Sequence, residues 1–453
     1  MNTTNTILLS PQDVLFFRDG RPMEGSLAGN GAAWPLPSVI NAALHAALHR
    51  SGLDGHPHDH AQGGRRDRKD ARTFGSLVSE GPFPVRTNRG DMETWFFPRP
   101  MDLCDDTLAP NLLPVKIANS SKSNLPEPLV FPVGNQLAPT KDVKAKAWIS
   151  LKAYEAYLQG EVRSVESMEA CDDADCFDME AQVGIGIDPR TGTTGQGDAA
   201  GKIYSARYLR LRDGWNLGVF AKTDEKSDHL DGREDLISGM IGENGRILVG
   251  GQQRVCTASV RSGSHLPLPR GRTGDFEDHE GRHLVKWALL SPAIYPAIPD
   301  RSKDGRPMTP HTGGWLPNWV RQTDGQVMLR SGKRKRRSYG DKHHRGFEAD
   351  AGEIHAKLVS AIVPKPVVVT GWGLANGVDR VEGGAKSSHL AVPAGAVYYF
   401  EAESEEHARK LAAALNWHGD DPEANAIMNR RSTLMGEKGF GLGVCGTWKF
   451  FGT

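Results

Sequence analysis

The stretch Ala396-Val-Tyr-Tyr-Phe-Glu-Ala-Glu-Ser-Glu-Glu-His-Ala-Arg-Lys-Leu-Ala-Ala-Ala-Leu-Asn-Trp417 reads as a strand (Ala396–Glu401) followed by a helix (about Ser404–Trp417). A Gly-rich loop then leads into a last strand near Val444–Phe450. Upstream lie a strand at Leu284–Leu290, a basic insertion at about 300–350 and a strand at Val363–Thr370. The order strand, insertion, strand, strand, helix, strand fits a ferredoxin-like βαββαβ unit whose first helix is poorly placed by the pattern.

The other half also opens with strand then helix. Ile7–Phe17 reads as a strand running into the turn Arg18-Asp-Gly-Arg-Pro22. Trp34-Pro-Leu-Pro37 is a rigid lead-in, and Ser38 can cap a helix that runs to about Arg50 and stops at Gly52. Ile40, Leu44 and Leu48 form its apolar face, with Asn41, His45 and His49 in a separate polar row. Val183–Asp188 and Lys202–Arg212 read as the arms of an extended β-hairpin around a Gly- and Thr-rich tip. Residues 81–150, with many prolines, read as loops and short strands. Residues 161–180, with eight acidic side chains, read as a solvated loop with some helix. The expected fold is therefore α+β: two ferredoxin-like (RRM-like) domains, 1–265 and 280–453, with the hairpin 183–212 and large loop insertions.

The chain has 453 residues, with 55 Lys plus Arg against 55 Asp plus Glu. That balance argues against a free-standing basic nucleic-acid coat, yet one basic face can be offset by acidic segments elsewhere. The start, MNTTNTILLSPQDVLFF, has no basic region before a sustained apolar run, so no signal peptide is expected. No stretch approaches the roughly 18 apolar residues of a membrane span. Five scattered cysteines suit a reducing cytoplasm.

Candidate chemistry is sparse. The loop Gly436–Gly446 has five glycines in eleven residues, including Gly439, Gly441 and Gly443. Its backbone can approach another chain closely or form an anion-binding concavity, or it is a tight turn packed on the preceding helix. Its literal GxGxxG does not open a helix, so a dinucleotide site is excluded. Arg18 and Arg21 can grip phosphates bidentately, or pair locally with Asp19. Residues 321–345 carry nine Lys or Arg against two Asp, which is either a solvated loop or a screen for a phosphate backbone. Cys171-x4-Cys176 lacks a second ligand pair at zinc spacing, and no metal or cofactor is expected. His45 is the one residue that suggests general acid or base chemistry; a lone helical His is more often structural or solvated.

Several segments, in this order, resemble the RAMP superfamily of CRISPR systems. They are Pro11-x-Asp13-x-Leu-Phe-Phe-Arg-Asp-Gly-Arg-Pro22 with Trp34–Ser38, Val183–Asp188 with Thr191 and Lys202-Ile-Tyr204, and Leu248-Val-Gly-Gly-Gln-Gln-Arg254. Gly314-Trp-Leu-Pro317, Ala391–Phe400 and the terminal Gly-rich loop complete the series. More narrowly, the chain looks like the five-group RAMP protein that is third subunit of the type III-B (Cmr) effector. In the glutamine-bearing segment, Gln252 stands where the family pattern has an acid. The resemblance implies a non-catalytic subunit that holds the 5′ tag of the guide RNA and docks on the large polymerase-like subunit and the first backbone subunit. Target RNA would be met only indirectly. On that reading Arg18, Arg21 and Arg254 contact tag phosphates near His45 and the loop glycines, while Arg190 sits on a thumb-like hairpin. Two other readings are an endoribonuclease that processes guide precursors with His45, and a scaffold that contacts protein only.

Overall fold

The computed structural model describes residues 4–18, 27–29, 34–53, 57–58, 72–88, 90, 92–117, 124–137, 145–188, 190–194, 203–226, 233–242, 245–262, 265–299, 309–331, 352–373 and 384–452. Arg21, most of the His-rich insertion and the basic run Lys333–Arg337 lie outside them.

The chain is a mixed α/β protein with large antiparallel sheets and few helices. Eight strands form the first sheet, in the order Ala170–Cys171, Trp148–Ser150, Glu93–Pro98, Val78–Thr87, Trp215–Lys222, Asn5–Pro11, Val255–Ser262, Arg246–Leu248. Every neighbouring pair is antiparallel. Of the four principal strands in chain order (5–11, 78–87, 215–222, 255–262), the spatial order is fourth, first, third, second. The second sheet repeats that order: Gly443–Thr447, Arg282–Leu289, Val397–Ala402, Ala356–Ile362, all antiparallel, with the short Glu277–His279 paired to the start of Arg282–Leu289.

Alternation along the strands explains how both faces of the first sheet are buried. Ile7 and Leu9 point into a core with helix α1 (Pro37–Arg50), where Ile40, Leu44 and Leu48 are fully buried. Leu8 points the other way, into a core that also contains Leu290, Trp417, Leu442 and Val444. That second core joins the two sheets, and helix α2 (Leu151–Gln159) contributes Tyr154, Tyr157 and Leu158 to it. On the second sheet, Val285, Trp287 and Leu289 face helix α5 (Glu405–Leu415), whose Leu411 and Leu415 share their core. Helices α3 (Asp173–Cys176) and α4 (Ile237–Ile241) are short. No helix among the described residues is long and apolar enough to cross a membrane.

Five readings of local structure need correction. The first strand ends at Pro11, not at residue 17; the Gln12 amide makes the last bond, to the Val255 carbonyl at 3.0 Å, and Leu15 turns to an isolated bridge with Leu209 of the hairpin. The cap of α1 is Leu36 with Pro37 leading the helix, not Ser38. Val78–Thr87 is a ten-residue strand at the centre of the large sheet, although Pro82 and Pro84 made it read as loop. The hairpin begins at Phe177, six residues before Val183, and pairs Phe177–Ile185 with Ile203–Leu211. Acidic residues there occupy its solvent face: Asp178 pairs with Arg212 and Glu180 with Arg210. Around 363–370 the sheet strand is Ala356–Ile362, and only the short Val367–Val369 follows.

Candidate nucleic-acid interface

Three separate stretches meet at the root of the hairpin. The turn after Arg246–Leu248 is tight: a side chain on Gly250, at φ +78°, would lie 2.5 Å from the Phe16 carbonyl oxygen. The Gly251 amide donates to that same carbonyl at 2.9 Å. Gln252 and Gln253 then take left-handed backbone angles of 56° and 53°, uncommon for residues with a Cβ. The outcome is a loop pinned against residues 13–17, which delivers Arg254 to the hairpin.

The Arg254 guanidinium lies 5.0 Å above the Tyr208 ring, a cation–π placement. Its Nη2 donates to Gln252 Oε1 at 3.2 Å, and the Tyr208 hydroxyl donates to the same oxygen at 2.9 Å. Nη1 is 3.6 Å from Asp13 Oδ2, while Arg210 Nη1 reaches the other oxygen of Asp13 at 3.0 Å. The Phe16 ring packs at a tilt against Tyr208, centroids 5.4 Å apart. Among the described residues the Nε of Arg254 is buried and has no hydrogen-bond partner. Buried donors are normally satisfied, and this one is left over by the cluster. Arg18, two residues beyond Phe16, is exposed.

The other expected site residues lie elsewhere. Arg190 is exposed in the hairpin-tip turn, where its amide donates to Asp188 Oδ1 at 2.8 Å. At strand rise, the tip stands roughly 25 Å along the hairpin from the level of Tyr208. His45, half-buried on α1, contacts the His49 ring at 4.7 Å. Gly439, Gly441 and Gly443 are buried. A side chain on Gly439 would meet the Ser79 carbonyl at 2.8 Å, one on Gly441 the Ser432 amide at 2.0 Å, and one on Gly443 the Trp287 indole at 2.4 Å. The amides of Lys438, Gly439, Phe440, Gly441 and Leu442 donate to Met435, Gly436, Met435, Pro292 and Ser291. The loop is thus a packed turn against α1 and the large sheet, with those amides spent internally. Beneath it, Glu80 is buried and paired with Arg430; burial pushes its carboxyl up to about 7 against the pull of that arginine.

The sequence reading missed Asp13, Tyr208, Arg210 and Gln252 as a group. Tyr208 and Arg210 are two apart on one strand and so share a face, which was the available signal. Their meeting with Asp13 and Arg254 depends on pairing across the chain. No group of three His, Cys, Asp or Glu among the described residues is placed to hold a metal.

The family model described as CRISPR-associated protein (Cas_Cmr3) matches residues 7–448. No curated protein matches the sequence. Among solved structures, a chain of a type III-B Cmr-beta complex bound to cognate target RNA and AMPPnP is 16% identical with a TM-score of 0.37, covering 87% of this chain and 86% of that one. A chain of a Csm3–Csm4 subcomplex of the type III-A CRISPR-Cas interference complex is 10% identical with a TM-score of 0.37, covering 88% and 97%. Those scores are too low to carry an argument, so membership rests on the family match, which spans nearly the whole sequence. The chain belongs to the CRISPR-associated Cas_Cmr3 family, the Cmr3-type subunits of type III-B CRISPR effectors.

Proposed function

We propose that this subunit is a non-catalytic binder of the guide RNA, holding its 5′ tag at the hairpin root beside the large polymerase-like subunit and the first backbone subunit. The reading is carried by Arg254, whose buried Nε lacks an acceptor while its other nitrogens and the face of Tyr208 fix its orientation. The rest of the guanidinium is partly exposed and suits a phosphate. On this reading Arg18 and Arg21 are further phosphate contacts. His45 lies on α1, against which the loop with Gly439, Gly441 and Gly443 packs.

The same reading divides the chain into two ferredoxin-like domains, 1–265 and 280–453. The repeated order of fourth, first, third, second strand supports it. It also makes the hairpin a thumb. Its odd-numbered residues Met179, Val183, Ile185 and Ile187 are apolar and exposed, a stripe suited to a neighbouring subunit or an unstacked base, and Arg190 at the tip suits a phosphate.

The test is to reassemble the effector with Arg18→Ala, Arg21→Ala and Arg254→Ala together and measure guide RNA retained after purification. The reading requires reduced retention. Unchanged retention in a normally assembled complex refutes the tag-binding assignment. Cleavage of precursor RNA by the isolated chain, abolished by His45→Ala, would replace it with the endoribonuclease reading.

A further inference from the structure

Cys171 and Cys176 are both free and buried, and their Sγ atoms lie 3.6 Å apart. The contact is built by the local fold. Cys171 ends the short edge strand Ala170–Cys171, and Cys176 is the last residue of α3. Between them a capping box holds the turn: the Asp172 and Asp175 side chains each accept from the other's backbone N–H. Lys146 pairs with both carboxylates, at 3.3 and 3.1 Å, which fixes the turn from outside. Cys176 immediately precedes Phe177, the first residue of the hairpin.

Cys171, although buried, stands beside open space. It lines a cavity of about 550 Å³ together with Arg86, Lys146, Asp175 and Trp215. Cys176 sits behind it, fully buried. One cysteine therefore borders a space wide enough for a small oxidant, and its sulfur lies 3.6 Å from that of the other.

We propose that Cys171 and Cys176 are a redox dithiol that closes to an intramolecular disulfide on reaction with hydrogen peroxide. The Cys171 thiolate attacks one peroxide oxygen, the O–O bond breaks, and a sulfenic acid forms with release of hydroxide, which takes up a proton as water. The Cys176 sulfur then attacks the Cys171 sulfur, the S–O bond breaks, and a second water leaves. Two thiols and one peroxide become one disulfide and two waters. The sulfurs must approach from 3.6 Å to a bond of about 2.05 Å. The hydrogen bond to Cys176 and burial hold the Cys171 thiol well above its ordinary range, so the thiolate fraction is small and the first step is slow. The bond fastens the start of the hairpin to the edge strand of the large sheet.

The wild-type full chain gives the test without any substitution. Trypsin releases residues 164–190 as one peptide that contains these two cysteines and no other. After hydrogen peroxide treatment of the folded chain, unfolding and alkylation, that peptide is expected unalkylated and lighter by two hydrogens than the dithiol form. Thiol reductant should reverse it, and Cys104, Cys256 and Cys445 should remain alkylatable. Full alkylation of Cys171 and Cys176, oxidation of either to a sulfinic acid, pairing with another cysteine, or closure only in denaturant would each overturn the proposal.

Discussion

Two charged clusters of this molecule use the same chemistry to opposite ends. Between the two sheets, Lys286 Nζ lies 2.9 Å from Asp102 Oδ2, and the Tyr157 hydroxyl is 2.8 Å from both carboxylate oxygens. The ammonium also sits 3.9 Å from the centre of the Tyr157 ring. Asp102 is fully buried and Lys286 nearly so. Gly446 leaves room for the lysine stem, since a side chain there would come within 3.1 Å of Lys286 Cε. At the hairpin root, Asp13, Arg210 and Arg254 are partly exposed, their separations run to 3.6 Å, and one guanidinium nitrogen has no acceptor. The first cluster is closed on itself and registers one half of the chain against the other. The second is partly exposed and leaves one donor without an acceptor.

The contrast is sharpest in stability. Replacing Lys286 by Met strands a buried carboxylate and should cost about 3–5 kcal/mol, read by denaturant unfolding. Adding Asp102→Leu should recover part of that loss; no recovery would mean that packing, not charge, dominates the site.

The Glu80–Arg430 pair under the Gly-rich loop lies between the extremes. Burial raises the Glu80 carboxyl to about 7, so between its ordinary value and 7 the folded chain binds more protons than the unfolded one. Stability contributed by this group therefore falls as pH rises through that window and levels off above it. The full difference is about 3 kcal/mol. Unfolding free energies of wild type and Glu80→Gln, measured from pH 4.5 to 7.5, should converge or cross as the wild type loses this contribution; parallel profiles would contradict the assignment.

At the hairpin root, Arg254→Ala should change unfolding free energy by less than about 1 kcal/mol. A loss as large as that for Lys286 would make the cluster a structural element and break the comparison. Farther out, Arg212→Ala removes an exposed pair with Asp178 and should leave the thermal midpoint unchanged.

How much of this was legible in the sequence depended on how local each signal was. Helix α1 and helix α5 follow from apolar spacing within single segments and appear where the pattern put them, within a residue or two. Val78–Thr87 was hidden because Pro82 and Pro84 read as breakers, while its pairing with Trp215–Lys222 tolerates them. The first six residues of the hairpin were hidden by acidic side chains that turned out to face solvent and arginines. Arg254 was visible through its motif, but its partners come from residues 13 and 208–210, which only strand pairing assembles. The Asp102–Lys286 pair spans 184 positions and leaves no periodic trace at either end.

The account stands most directly on guide-tag RNA affinity of the full chain, wild type against Arg254→Ala, titrated across a range of salt concentrations. Loss of one charge-assisted phosphate contact should weaken binding roughly tenfold and lower the salt slope by about 0.7, with the fold intact. Equal affinity and equal slope in a folded variant would show that the incomplete cluster at the hairpin root is not where the guide is held.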